Sequence, residues 1–372
     1  MKISKDKKSG RIIFVGLALM LAIVLVATAI NPYDTEQTRP IQLGVSGGNI
    51  NDIKMPYCFG GTLGSLVQDT SGNQYILSNN HVLARENKAS IGEGIIQPGL
   101  IDQSPVCYKD TNDVVADLTA FKPILFKGTN NVDAAIAKVR TNKVDTNGPI
   151  LGIGTVNRDI ISDPLVVLNM PVKKSGRTTG LTRGNITAVH VTVSVRYSNR
   201  IAKFVDQILI TPGGFSAGGD SGSLIVQDVD SNPRPVGLLF AGSSTSTIAN
   251  PISEVLRSFG VSMVGVSTLL STSLITSPSS EGIAMTMQSQ LPNKANNNAI
   301  EAARNVKERH ENALFNIEGV VGTGVGLSGT VPDKVVIEVY VKKPAHEMKR
   351  IIPEVLEGIS VEIVETGEFV SR

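Results

Sequence analysis

The chain has 372 residues, 41% of them hydrophobic and 18% charged, with a formal net charge of +2. Apolar content is that of a folded globular protein, and its 36 glycines with few aromatics suit turn-rich β structure. The charge balance includes an N-terminal lysine cluster and leaves no basic patch that would argue for nucleic acid.

Residues 1–11 form a basic flank, with Lys2, Lys5, Lys7, Lys8 and Arg11 ahead of the uncharged stretch Ile12–Ile30. That stretch is 19 residues long, close to the ~20 that cross a bilayer. The basic side stays cytoplasmic by the positive-inside rule, so the body is expected outside. A cleaved signal peptide is the competing reading, since Ala27-Thr28-Ala29 is a small-x-small site. Either way the body is exported: membrane-anchored through its N-terminal segment, or secreted. Residues 31–54 read as a linker.

Cys58 and Cys107 are the two cysteines. In an oxidising compartment they can close a disulfide; two buried free thiols are the alternative. Their spacing is no metal-site pattern, and no cofactor is expected. A strand, a turn at Asp69–Asn73 and a second strand lead into Ser78-Asn79-Asn80-His81, which puts a titratable ring at the mouth of a sheet. His190 lies in an alternating strand, and His310 and His346 in charged helical surroundings, so His81 is the candidate general base.

Two segments place a carboxylate in an apolar stretch, Val115–Ala120 around Asp117 and Val132–Ala137 around Asp133. A buried carboxylate needs hydrogen bonds or a partner. Asp133 precedes the purer small-apolar strand and is preferred as the residue that orients His81, with Asp117 at a strand edge or facing solvent. Further on, Gly218-Gly219-Asp220-Ser221-Gly222-Ser223 opens into Leu224-Ile225-Val226. This is a serine on a tight turn before a buried strand, where backbone N–H groups can converge on an oxyanion.

The order His81, Asp133, Ser221 and its surrounding motifs resemble those of trypsin-like (chymotrypsin-fold) serine peptidases, specifically the bacterial branch. The matching segments are Leu77-Ser-Asn-Asn-His81-Val-Leu, Val132-Asp133-Ala-Ala-Ile-Ala, Gly218-Gly-Asp-Ser221-Gly-Ser-Leu, Val236-Gly-Leu-Leu-Phe-Ala-Gly242 and Lys174-Ser-Gly-Arg177-Thr-Thr-Gly180. The resemblance covers residues 55–265 and implies a double six-stranded β-barrel acting on a protein or peptide substrate. It implies Ser221 as nucleophile, His81 as general base and then acid, and Asp133 as orienting group. The backbone N–H groups of Gly219 and Ser221 would form the oxyanion hole. Phe240, Ala241 and Gly242 would be the strand wall for a substrate backbone, and Phe215 would sit at the base of the specificity pocket. An ion pair between Asp220 and Arg177 would assemble the site without zymogen cleavage. Departures from the family pattern are Ser223 two after the nucleophile, Asn79-Asn80 before the histidine, and Ala241 where an aromatic wall is usual.

Beyond the barrels, Pro251–Phe259 reads as a closing helix and 266–298 as a polar linker. Residues 299–372 follow an αββαβ pattern, which suggests a separate small α+β accessory domain of ferredoxin-like sort. Its Gly324-Val-Gly326-Leu-Ser-Gly329 is followed by a turn and a strand, which excludes the dinucleotide-binding reading. Two alternatives to an ordinary endopeptidase remain: an HtrA-like envelope quality-control protease, and a non-catalytic peptide-binding protein on the same fold. Oligomeric state is left open.

Overall fold

The computed structural model describes residues 31–161, 168–267 and 294–372, which form one compact unit. The expected membrane segment and residues 268–293 of the expected 266–298 linker lie outside the described residues; 294–298 are not linker but the start of the helix Lys294–Phe315. Among the described residues, no helix is long and apolar enough to cross a membrane.

The first barrel starts earlier than expected. Residues 31–54 are not a linker: Val45–Asn49 is a fully buried strand paired with both Gly61–Leu63 and Gly94–Ile96. Ile41 and Leu43, also fully buried, bridge to Val144 and Ile150. Gly94–Ile96 continues the ring to Val114–Phe121, then to Ala135–Val139, Gln74–Ser78 and Ser65–Gln68. Gly61–Leu63 and Ser65–Gln68 are two arms of one strand bent at Gly64, so the ring holds six strands. A Cβ at Gly64 would stand 1.9 Å from the Gly222 carbonyl oxygen, so only glycine lets this bend meet the turn that carries Ser221. A Cys58–Cys107 disulfide fastens the outer loops of this barrel.

In the second barrel Pro171–Gly176, Gly180–Tyr197, Arg200–Thr211, Thr247–Pro251, Pro235–Gly242 and Leu224–Gln227 pair in that cyclic order, and the last returns to the first. The expected double six-stranded, chymotrypsin-like architecture is therefore present. Its inward positions are mostly Ile, Val and Leu, and burying each such side chain stabilises by roughly 1.5–3 kcal/mol. The helix Ile252–Phe259 closes the barrels and ends at Gly260 in the left-handed region (φ 65°).

The C-terminal residues differ from expectation in how they attach. They are not a separate domain. The 18-residue strand Gly180–Tyr197 outruns its barrel, and its far half pairs with Val320–Leu327. The sheet continues through Val335–Val341 to Ile359–Glu365 and Val355–Leu356. The glycines at alternate positions of Val320–Leu327 make this possible. A Cβ on Gly324 would lie 2.5 Å from the Tyr340 hydroxyl, and one on Gly326 2.3 Å from a Glu338 carboxylate oxygen. The helix Lys294–Phe315 covers the extension, and one apolar core runs from Ile186, Ile208 and Phe215 through to Ile300, Val325 and Ile337. The second helix of the expected αββαβ pattern is a single turn, Ala345–Met348, ahead of Pro353 and a short strand.

Candidate active site

His81 sits in the short helix Asn80–Leu83, immediately after the buried strand Gln74–Ser78. Asp133 is fully buried on the loop before Ala135–Val139, the strand that pairs with Gln74–Ser78. Register thus brings the two together: His81 Nδ1 lies 2.5 Å from Asp133 Oδ2, and the His81 backbone N–H donates to Oδ1 at 3.2 Å. Asn79 Nδ2 donates to the Asp133 carbonyl at 2.7 Å, and the Asp133 N–H donates to Asn250 Oδ1 at 3.0 Å. The Asn79-Asn80 departure is therefore structural. Asn79 holds the aspartate, and Asn80 Nδ2 donates to Asn87 and to the Lys122 carbonyl.

Sequence reasoning missed Tyr197. It is fully buried at the end of the long strand and donates its hydroxyl to Asp133 Oδ2 at 2.7 Å, with its ring edge-on to His81. Its one sequence signal is that a buried tyrosine hydroxyl needs a partner. Burial and then the Asp133 charge push that hydroxyl well above its ordinary value. For His81, burial disfavours the charged ring. The Asp133 carboxylate, its hydrogen bond and the Arg372 carbonyl outweigh this and hold His81 above 6.5.

Ser221 is fully buried at the barrel junction, where Thr62 N–H donates to its carbonyl at 2.8 Å. Its turn requires left-handed backbone at Gly219 (φ 98°) and Gly222 (φ 94°). Among the described residues no acceptor engages the Gly219 or Ser221 N–H groups. The Ser221 hydroxyl donates to the Phe240 carbonyl at 3.3 Å, while His81 Nε2 faces the Arg372 carbonyl oxygen at 3.2 Å. Ser223, the departure from glycine, fits because residue 176 is glycine: a Cβ there would lie 2.3 Å from Ser223 Oγ. That hydroxyl donates to the Asp220 carbonyl at 2.7 Å and ties the turn to itself.

The ion pair expected between Asp220 and Arg177 is corrected. The cation beside Asp220 is Lys174, at 3.4 Å with both side chains fully buried. Asp220 also accepts from the N–H groups of Ala217, Thr178 and Thr179 and from the Thr179 hydroxyl. The backbone after Arg177, not its guanidinium, caps the carboxylate. The guanidinium is drawn instead to Asp102 of the first barrel, donating to both oxygens at 2.6 and 2.5 Å. It still covers the oxyanion turn, since a Cβ at Gly219 would meet it at 2.8 Å. Burial pushes the Lys174 ammonium down in spite of Asp220, and the Asp102 hydrogen bonds hold Arg177 up.

Phe215, on the turn Gly213–Phe215, is buried in the apolar core of the second barrel, in one cluster with Val172 and Ile186. Phe240, Ala241 and Gly242 end the fully buried strand Pro235–Gly242. Asp117 pairs with Arg140 on the outside, and His190 pairs with Asp206 at 2.9 Å. Among the described residues, no group of carboxylates, histidines and cysteines could hold a metal ion.

Two closed barrels with this junction define the chymotrypsin-type fold. A family model described as the Nal1 C-terminal domain matches residues 120–276. No curated protein matches the chain. Among solved structures it is similar to a glutamic acid-specific serine protease (22% identity, 60% of this chain and 100% of that one, TM-score 0.40). It is also similar to Thermobifida fusca protease A (17%, 61% and 99%, TM-score 0.40) and to Nocardiopsis protease (17%, 60% and 98%, TM-score 0.41).

Proposed function

We propose that the chain is an extracytoplasmic serine endopeptidase. The observation that carries the reading is the buried Asp133–His81 pair at 2.5 Å, set beside a serine turn whose two N–H groups have no acceptor among the described residues. In the working state the Ser221 hydroxyl turns from the Phe240 carbonyl to His81 Nε2. His81 takes its proton as Oγ attacks the scissile carbonyl carbon, and Gly219 and Ser221 N–H hold the oxyanion. His81 then gives the proton to the leaving amine as the C–N bond breaks, and water hydrolyses the acyl ester by the reverse proton path. Asp133, fixed by Tyr197 and Asn79, keeps Nδ1 protonated throughout. The Lys174–Asp220 pair holds the turn in shape without a freed N-terminus.

Export is part of the same proposal. It is supported by the uncharged residues 12–30 behind a basic flank, as an anchor or a cleaved signal, and by the disulfide, which needs an oxidising compartment. One observation favours a second reading, a peptide-binding protein without catalysis: Ser221 is bonded to Phe240 and not to His81. Mass spectrometry after treatment with a fluorophosphonate separates the two. An adduct on Ser221 that is lost in His81→Ala supports the endopeptidase; no adduct under any condition, including with residues 370–372 removed, favours the binding protein.

A further inference from the structure

The cleft is not empty: the strand Phe369–Ser371 lies between Gly180–Tyr197 and Pro235–Gly242. Along the second of these it runs antiparallel, with Val370 opposite Gly242 and Ser371 opposite Ala241. Arg372 N–H then donates to the Phe240 carbonyl at 3.2 Å, the same oxygen that accepts from Ser221. The Arg372 carbonyl oxygen faces His81 Nε2 at 3.2 Å. This is peptide addition to an open sheet edge, with Arg372 as the residue whose carbonyl carbon the nucleophile would attack. The arginine side chain runs along Gly242, where a Cβ would come within 2.6 Å of its Nε, and its Nη2 donates to the Ser243 carbonyl.

We propose that residues 369–372 are the protein's own inhibitor, a substrate-like strand that must leave before a peptide can enter. The inference rests on the endopeptidase reading and adds its regulation. Three observations converge. The strand occupies the wall a substrate needs, its last carbonyl holds the ring nitrogen that should receive the serine proton, and Ser221 is left fully buried. With Nδ1 donating to Asp133, Nε2 can bond that carbonyl only by carrying a second proton. The ring is then an imidazolium and cannot act as base. The hold is also made to be released. Arg372 Nε is buried without a hydrogen-bond partner, and burial of the guanidinium outweighs the favourable charge of Asp220. Phe369 is the fixed end, buried against Tyr340, so the attachment survives when residues 370–372 swing out.

The test removes 370–372 and keeps Phe369. In a Ser221→Ala background, a fluorescent peptide ending Phe-Val-Ser-Arg is titrated into the full-length and the shortened chain. Binding confined to the shortened chain is expected, and equal binding overturns the proposal. In parallel, fluorophosphonate labelling of Ser221 is timed in both lengths without that substitution. The shortened chain should label faster by on the order of tenfold or more, as a tethered strand competes at high effective concentration. Equal rates would refute inhibition while leaving the peptidase reading intact. Selective peptide binding with no labelling of either length would refute the peptidase reading, and inhibition with it. A full-length Val370→Pro, Arg372→Ala variant repeats both arms should the shortened chain fail to fold.

Discussion

Replacing Lys174 with methionine isolates the cation that supports the oxyanion turn. Lys174 Nζ lies 3.4 Å from Asp220 and both side chains are fully buried, so the substitution leaves a carboxylate uncompensated in the junction. Breaking a buried pair from one side costs about 3–5 kcal/mol. Asp220 keeps its four other hydrogen bonds, so the loss belongs at the lower end, about 3 kcal/mol. Lys174→Met with Asp220→Asn removes both charges and should recover most of that loss. Arg177→Ala gives up a half-buried pair with Asp102 and should cost less, about 1.5–3 kcal/mol. Urea unfolding of the four chains measures the order. A Lys174→Met loss under 1 kcal/mol, or one smaller than that of Arg177→Ala, would refute the assignment of Lys174 as the partner of Asp220.

Tyr197→Phe removes a donor to the Asp133 carboxylate, an interaction of about 1.5–3 kcal/mol. With that donor gone Asp133 attracts the His81 proton more strongly, so in the shortened chain peptide hydrolysis should slow and its acidic limb move to higher pH; an unmoved limb would count against the network. Serine at both Cys58 and Cys107 opens a loop of sequence separation 49, which should lower stability by about 4 kcal/mol, read as a fall in urea midpoint that reductant reproduces in the parent chain. Burial raises Glu338 from 4.5 to about 7. The native state therefore holds a proton that the unfolded chain has released, and stability falls as pH rises from 4.5 towards 7. Glu338→Gln should remove this loss, worth about 3 kcal/mol in full, when urea curves at pH 4.5 and 8 are compared. A parallel pH dependence in both chains would contradict it.

What the sequence disclosed and what it hid follow from distance along the chain. His81, Asp133 and Ser221 stand in short motifs whose local chemistry is legible, and pairing of Gln74–Ser78 with Ala135–Val139 brings the first two together. Tyr197 is 64 residues from the carboxylate it serves, and only closure of the second barrel brings it there. Lys174 and Arg177 occupy one short segment, and nothing in the segment says which cation turns inward. The strand around Gly176 buries the lysine, while Asp102, from the other barrel, takes the arginine. Val45–Asn49, a run of small and polar residues, lacks the apolar alternation of a strand, and burial on both sides replaces that signal. Residues 369–372 look like the end of an accessory domain until the sheet extension delivers them to the cleft.

The most direct test of the account is the pH dependence of fluorophosphonate reaction at Ser221 in the chain lacking 370–372. If His81 is the base, it must be neutral, and the Asp133 carboxylate, which stays beside Nδ1 in the shortened chain, favours the charged ring. A rate that rises with pH through a single ionisation is expected, with no labelling in Ser221→Ala and no pH-dependent rise in His81→Ala. Labelling that survives Ser221→Ala, or a rate that does not rise with pH in the otherwise unaltered shortened chain, would contradict it.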